Sequence, residues 1–400
     1  NYTQVRYDFY YLTTELFKEA FTHQYYDWCK ENNLILTGHF MCEDYLWFQT
    51  QWSGDVMSHY EYMTWPGVDK LYTHLKQNAT FKQVSSVCEQ LGKERTFAEI
   101  FALMGNHTAF KERKWVGDWC AALGNNFINS HLSLYSMRGE RKRDCPANYY
   151  YQQPWWDEEK TLGDYFARLC AFGCEGERPV DLMVLQPLTS VWCEYSPLQA
   201  KYEYGPVLKY DKPYEQLSER FMDEKLDYHF GNENLMKKYA SVDGDAFVIG
   251  KCRYKAVYVP PCSNIMKSTY ELLKEYSENG GKLIFTNELP YMIEGVPSDI
   301  SFDNYEVARD VEDAINMLKK YIACDIEILD ARVAENEARI FGAEAAKVWC
   351  EKRVAGNSSR YFLCNTNKDR NTEIFVKFRE NPDAPVAFYD MVTGKMYKAP

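Results

Sequence analysis

The chain has no apolar run approaching the roughly 18 residues that a membrane-crossing helix needs, which sets a membrane role aside. It also lacks an excess of positive charge, since 46 Lys and Arg stand against 58 Asp and Glu for a formal charge of −12. Phosphate binding is driven by clustered Lys and Arg, so a nucleic-acid partner is set aside too. The one basic cluster, Arg138 to Arg143, contains Glu140 and ends at Asp144, and reads as a set of loop ion pairs. Regular cysteine spacing is missing as well. Thirteen scattered cysteines, an odd number, make no disulfide framework. Cys170 and Cys174 lie four apart on a predicted helix, but no second pair or histidine set follows at zinc-site spacing. Most read as buried free thiols, which suits a reducing compartment and tilts localisation toward the cytoplasm. No signal peptide precedes Asn1, yet the chain does not open on Met and enters directly into a helix, as though the true N-terminus had been cut away; localisation therefore stays open. Gly280-Gly281 is a helix stop rather than a phosphate-binding loop, and no acidic loop has EF-hand spacing.

What is present is globular. The 400 residues are a prior for two or three domains, and 46% hydrophobic with 26% charged content is enough to bury real cores. Aromatic content of 16%, including 32 tyrosines, suits a protein that handles carbohydrate, although tyrosine also fills cores.

The first part of the chain alternates helix and strand. Tyr7 to Asn32 carries Phe9, Leu12, Leu16, Phe17, Ala20 and Phe21 at helical spacing, which predicts a long amphipathic helix. Leu34 to His39 then reads as a buried strand ending in Gly-His, with Glu43 and Asp44 just beyond. Further helices are predicted at 54–63, 81–91 and 111–123. They lead to short strands at Trp65 to Asp69, Thr96 to Phe101 and Phe127 to Leu132. Four such steps, each strand ending in polar residues, argue for parallel βα architecture with a site at the strand carboxyl ends.

After a helix over 157–172 the texture changes. Pro179 to Pro187 is a clean buried strand, followed by helix 214–224, strand 226–230, helix 233–239, strands 246–252 and 256–260, helix 266–278 and a strand after Gly281. This pattern reads as a flavodoxin-like doubly wound sheet. Cys262 follows a strand where a nucleophile elbow would sit, but Pro260-Pro261-Cys262-Ser263 lacks the glycines that such a turn requires. From Ile326 onward, alternating runs such as Arg360 to Cys364 and Glu373 to Phe378 read as β structure.

The chemistry concentrates between Arg95 and Trp156. Glu99 is a carboxylate in an apolar strand, His131 and Tyr135 stand at the far end of the next, and Asp144 closes a charged turn. Tyr149 to Trp156 is an aromatic loop. A carboxylate, a histidine and an aromatic wall are what a sugar site needs, because charged groups grip hydroxyls and a pyranose face stacks on a ring. The alternative is that Trp155 and Trp156 are core packing and Glu99 pairs with an arginine such as Arg95. Glu43 and Asp144 read equally well as solvated loop charges, and His39 as a satisfied core histidine.

Leu36-Thr-Gly-His-Phe40, Pro66-Gly-Val-Asp69, Thr96-Phe-Ala-Glu99, Asn129-Ser-His131, Gly139-Glu-Arg-Lys-Arg-Asp144 and Gln153-Pro-Trp-Trp156 together carry a family resemblance. They resemble the second half of a glycoside-hydrolase (β/α)8 barrel of the family 106 α-L-rhamnosidases and their relatives. The resemblance implies an α/β fold in three parts. These are the second half of the barrel over 1–178, a flavodoxin-like, amidotransferase-like domain over 179–325, and the start of a β-sandwich over 326–400. A full barrel takes about 250 residues, so the chain is expected to be a fragment holding strands five to eight, with one catalytic carboxylate upstream of Asn1.

On the same resemblance, Glu99 on the seventh strand is the nucleophile or base, and Glu43 is the acid partner or a hydroxyl ligand. His39 and His131 bind hydroxyls, and Tyr135, Asp144, Gln153, Trp155 and Trp156 line the pocket. The implied substrate is a terminal sugar of plant or microbial polysaccharide, α-L-rhamnoside-like or β-galactoside-like. No cofactor is expected from the residues, and calcium enters only because family relatives use it. Two rivals stay open: a carbohydrate-binding or scaffold protein without turnover, and an amidotransferase-like enzyme using Cys262 and His229. Oligomeric state is left open.

Overall fold

The computed structural model describes residues 1–197, 205–330, 343–379 and 384–399. Within these, the chain forms two compact units, one made of 1–66, 77–94 and 180–323, the other of 67–76, 95–179 and 324–400. No helix among the described residues is long and apolar enough to cross a membrane.

Four strands carry the first part of the chain: β1 (Thr37–Gly38), β2 (Trp65–Leu71), β3 (Phe97–Ala102) and β4 (Phe127–Ser130). In the first unit, β1 pairs in parallel with the opening residues of β2, Trp65 and Pro66. In the second unit the rest of β2 pairs with β3, and β3 with β4, all parallel. The strand expected over Leu34 to His39 is reduced to two residues, and Leu34 and Ile35 are exposed, at 52% and 51%.

The first unit contains a five-stranded all-parallel sheet built from β5 (Leu182–Leu185), β6 (Tyr228–Gly231), β10 (Ala256–Val259), β12 (Lys282–Thr286) and β15 (Glu306–Ala308). Between β6 and β10 runs an antiparallel meander of β7 (Ala240–Asp243), β8 (Ala246–Ile249) and β9 (Cys252–Tyr254). A further small sheet is formed by β11 (Asn264–Ile265), β13 (Met292–Ile293) and β14 (Val296–Pro297). Numbered by chain position, the five parallel strands lie in the order 2-1-3-4-5, one of the two common doubly wound orders. Fully buried runs such as Leu182–Leu185 and Ala256–Val259 form its centre, as expected for strands covered on both faces.

The expected N-terminal helix is present, but its apolar stripe is not its buried face. It spans Tyr2–Phe17, passes through a π-helical turn at Lys18–His23 and continues over Gln24–Glu31. Of the apolar residues at helical spacing, Phe9, Leu12, Leu16 and Phe21 are 46–61% exposed, Ala20 is exposed and Phe17 half-buried. The buried face is instead Tyr7, Tyr10, Thr14, Lys18 and Thr22. The reason is local fit. Tyr7 packs against Trp192 at 6.0 Å between ring centroids and Tyr10 against Tyr195 at 5.9 Å, while the Thr22 hydroxyl meets His59 Nδ1 at 2.7 Å. Thr14 closes on Gly54, where a Cβ would lie 2.1 Å from its Oγ1 and where φ is +78°, so the approach needs glycine.

In the second unit, helices Phe110–Ala122 and Glu159–Cys174 accompany β3 and β4. The C-terminal β structure appears as antiparallel pairs: β16 (Ile326–Asp330) with β19 (Ile374–Phe378), β17 (Val348–Ala355) with β18 (Ser358–Asn365), and β20 (Ala387–Asp390) with β21 (Lys395–Lys398).

Candidate active site

Parallel register builds the site. Residues directly paired on neighbouring parallel strands point to the same face, and Glu99 on β3 is paired with Asp69 on β2 and Asn129 on β4. A row of three polar side chains therefore crosses the sheet. Alternation puts Val68, Lys70, Ala98 and Ile100 on the other face, where all four are fully buried. Lys70 is accommodated there because its ammonium donates to the carbonyls of Leu71 and Tyr72 and lies 5.8 Å from the Trp119 ring.

His131 continues the pairing just past β4, its backbone N–H donating to the Ile100 carbonyl at 2.8 Å. That bond turns its ring toward Glu99, with Nε2 3.5 Å from Oε1. The two side chains are 17% and 26% exposed, open enough to meet a solute and covered enough to feel each other. His131 Nδ1 is buried with no hydrogen-bond partner among the described residues. A carboxylate beside an imidazole, with a second acid one strand away, can bind hydroxyls and exchange a proton.

The loop after β4 comes back over this row. The Cys145 thiol is pushed up by burial and by the negative charges of Asp144, Asp69 and Glu99, so both strand carboxylates and Asp144 act on one point. Asp144 is exposed. Tyr135, at 97% exposure, reaches into solvent and is not brought to the row. Gln153 is buried and donates to Asn106 Oδ1 at 3.1 Å, in a network with Asn148. Trp155 lies 4.7 Å from the Arg113 guanidinium, and Trp156 packs on Tyr150 at 5.4 Å. The expected aromatic wall is thus largely a cage for Arg113, whose guanidinium also faces Tyr149 at 4.7 Å and pairs with Glu159 through two hydrogen bonds. Arg95 donates to the Asn126 carbonyl at 3.4 Å and lies over the Phe127 ring.

His39 and Glu43 belong to the other unit. Glu43 is buried and accepts from the Phe40 N–H at 2.7 Å and the Tyr60 hydroxyl at 3.3 Å, which braces the turn after β1. His39 Nδ1 faces the Phe40 carbonyl at 3.2 Å.

The sequence does not single out Asp69, Asn129 or Arg113 as site residues, and it marks Tyr149 only as the start of an aromatic loop. In the sequence Asp69 is an acid ending a short strand and part of the Pro66-Gly-Val-Asp69 segment that carries the resemblance. Setting Pro66-Gly-Val-Asp beside Thr96-Phe-Ala-Glu would have exposed the match. Arg113 leaves no such signal, because its partners Tyr149, Trp155 and Glu159 are distant in sequence.

The doubly wound sheet's own crevice is filled. At the carboxyl ends of β5 and β6, Asp55 accepts from Asn232 Nδ2 at 2.9 Å on both oxygens and from Asn234 Nδ2 at 2.8 Å. Glu233 binds the Thr189 hydroxyl and the Met266 N–H. Burial raises both carboxyls, Glu233 to about 7. Cys262 is buried and its thiol is pushed up by burial and by Glu233 and Glu288. His229 lies against Tyr254, with Nδ1 3.1 Å from its hydroxyl. Burial and a raised proton affinity are the reverse of the exposed, low-pKa thiol that a nucleophilic cysteine presents, and they do not favour the amidotransferase-like rival. Among the described residues, no group of three or more His, Cys, Asp and Glu is placed to hold a metal ion.

The fold has clear relatives among solved structures. The chain is similar to a rhamnosidase from Novosphingobium sp. PP1Y, with a TM-score of 0.69 and 18% identity over 96% of this chain and 36% of that one. It is similar to Gan42B, a GH42 β-galactosidase, with a TM-score of 0.65 and 11% identity over 99% of this chain and 66% of that one. It is also similar to a GH42 exo-carrageenase from Bacteroides ovatus, with a TM-score of 0.60 and 14% identity over 94% and 52%. No family model and no curated protein matches the sequence. The chain thus shares a mixed α/β fold with glycoside hydrolases of the TIM-barrel type. It spans between about a third and two thirds of their lengths.

Proposed function

We propose that this chain is part of a glycoside hydrolase and that its sugar subsite is the row of Asp69, Glu99 and Asn129 with His131. The observation that carries the reading is the Glu99–His131 approach at 3.5 Å on the open face of parallel strands. It stands in a fold whose neighbours in structure are glycoside hydrolases. Glu99 acts as nucleophile or base, and a second carboxylate donates the proton to the leaving oxygen. The substrate is a terminal sugar, α-L-rhamnoside-like or β-galactoside-like. In this reading β1 to β4 are strands five to eight of the barrel. Residues 1–178 are its second half, 179–325 the flavodoxin-like domain, and 326–400 the start of a β-sandwich. Calcium remains tied to the family 106 likeness alone.

A second reading, carbohydrate binding without turnover, is favoured by one observation. The Glu43 carboxylate is buried and engaged with Phe40 and Tyr60, as a structural acid would be. In that reading the proton donor is missing from this chain.

Hydrolysis of an aryl-glycoside panel, by this chain and by a version carrying additional upstream sequence, separates the two. Turnover that Glu99→Gln abolishes in a folded protein supports the hydrolase. Saturable sugar binding with no turnover in either version supports the binding protein, and turnover untouched by the substitution overturns the assignment of Glu99.

A further inference from the structure

Tyr149 bonds to a backbone carbonyl just beyond each member of the Glu99–His131 pair. Its N–H donates to the carbonyl of Leu132, the residue after His131, at 3.0 Å. Its hydroxyl donates to the carbonyl of Phe101, two residues after Glu99, at 3.0 Å.

The Phe101 carbonyl needs that donor. The pairing of β3 with β2 shifts at this point, Lys70 opposing Ile100 and Leu71 opposing Ala102, so that Phe101 is the extra residue of a β-bulge. Its φ is +77°, and Leu103 follows at +57°, a left-handed bend that non-glycine residues seldom adopt. A bulged residue loses its ladder partner, and the neighbouring carbonyls are already engaged: Ile100 accepts from the His131 N–H and Ala102 from the Tyr72 N–H.

The tyrosine is itself fixed. It is buried, the Arg113 guanidinium lies 4.7 Å from its ring, and Arg113 is held by Glu159 and by Phe110 and Trp155 at 5.2 and 4.7 Å. The Ser133 hydroxyl donates to its carbonyl at 3.2 Å. Such enclosure makes a phenol a rigid strut rather than a titrating group, and burial raises its proton affinity accordingly.

We propose that Tyr149 is a positioning residue for the Glu99–His131 pair, clamping the bulge after Glu99 and the segment after His131 in one mutual geometry. The catalytic consequence rests on the hydrolase reading above; the geometric claim does not.

The test is Tyr149→Phe in the full chain, which keeps the ring in its cage and removes only the hydroxyl, with Tyr149→Leu as a second variant that also empties the cage. Two readouts are taken. The first is the NMR signature of the His131 imidazole, with Glu99→Gln as the reference for a broken pair. Tyr149→Phe should move these resonances toward the Glu99→Gln positions while resonances of the doubly wound sheet stay in place. The second is kinetics on any aryl glycoside the wild type cleaves. A misplacement of this kind should lower kcat by about 10- to 100-fold and change KM by less than about twofold. His131 resonances that do not move in Tyr149→Phe overturn the proposal, even where thermal stability falls. Absence of turnover in both this chain and the version carrying additional upstream sequence sinks the hydrolase reading and leaves the NMR result to decide the clamp.

Discussion

The imidazole of His131 lies 3.5 Å from the carboxylate of Glu99, and the backbone, not the side chains, brings them there. The His131 N–H bonds to the Ile100 carbonyl next to Glu99, so the pair is set by the parallel register of β3 and β4. His131→Ala should leave the fold intact and lower kcat/KM on the best aryl glycoside by roughly 10- to 100-fold, as for a lost charged contact to substrate. Steady-state kinetics with a circular-dichroism control checks this, and unchanged kinetics would leave His131 a structural neighbour.

Asp69 shares that row. Asp69→Asn keeps the size and removes the charge, and it should reduce kcat/KM by on the order of tenfold or more if the acid meets the sugar. Sugar affinity by calorimetry shows whether the loss lies in binding or in turnover. Equal affinity and equal turnover would place Asp69 outside the reaction.

The N-terminal helix gives predictions of very different size on its two faces. Leu12→Gln and Leu16→Gln replace exposed residues and should change stability by no more than about 0.5 kcal/mol in this chain. Tyr10→Ala removes a buried ring that packs on Tyr195 and should cost about 3 kcal/mol. Urea midpoints compare the three directly. Larger losses from the leucines than from Tyr10 would make the apolar stripe the buried face.

Gly54→Ala should destabilise by about 2 kcal/mol or more, since the new Cβ both meets Thr14 Oγ1 at 2.1 Å and sits at a φ of +78°. Adding Thr14→Ala should recover part of the loss by removing the hydroxyl. A double-mutant cycle reads the coupling, and full additivity would mean that the clash is relieved elsewhere.

The contribution of Glu233 and Asp211 to stability should fall as pH rises from about 4.5 to about 7. It is opposed over part of that range by buried His59, which burial lowers to about 4 in the fold. Burial raises Glu233 and Asp211 to about 7 in the fold, above the 4.5 and 3.8 of free groups, so between those values the folded chain holds protons that the unfolded chain has released. The contribution is most favourable below the unfolded values and is lost through the folded ones. Glu233→Gln mimics the protonated acid and keeps its place between Thr189 and Met266, so it should flatten part of this slope. Urea unfolding at pH 5 and pH 7.5 measures it; an equal slope in the variant would assign the titration to other groups.

Part of this was legible in the sequence. The alternation of helices and short strands was readable because hydrophobic periodicity is a local property: the helix read over 233–239 is found at Glu233–Tyr239, and that read over 111–123 at Phe110–Ala122. Glu99 was legible for the same reason, as a charge in an apolar strand, and so was the possibility that His131 stood near it.

Sequence alone determined which stretches form strands, which carry polar ends, and that negative charge and aromatic content fit a sugar better than a phosphate backbone. Tertiary structure alone decided the rest. The outward turn of Phe9, Leu12 and Leu16 depended on Gly54 and Trp192 offering Thr14 and Tyr7 a closer fit. Asp69 became a partner of Glu99 only through the pairing of β2 with β3, and Trp155 became part of a cage only because Arg113 lies beneath it. Local pattern fixes what a residue can be; the register between distant segments fixes what it touches, and no spacing along the chain encodes that.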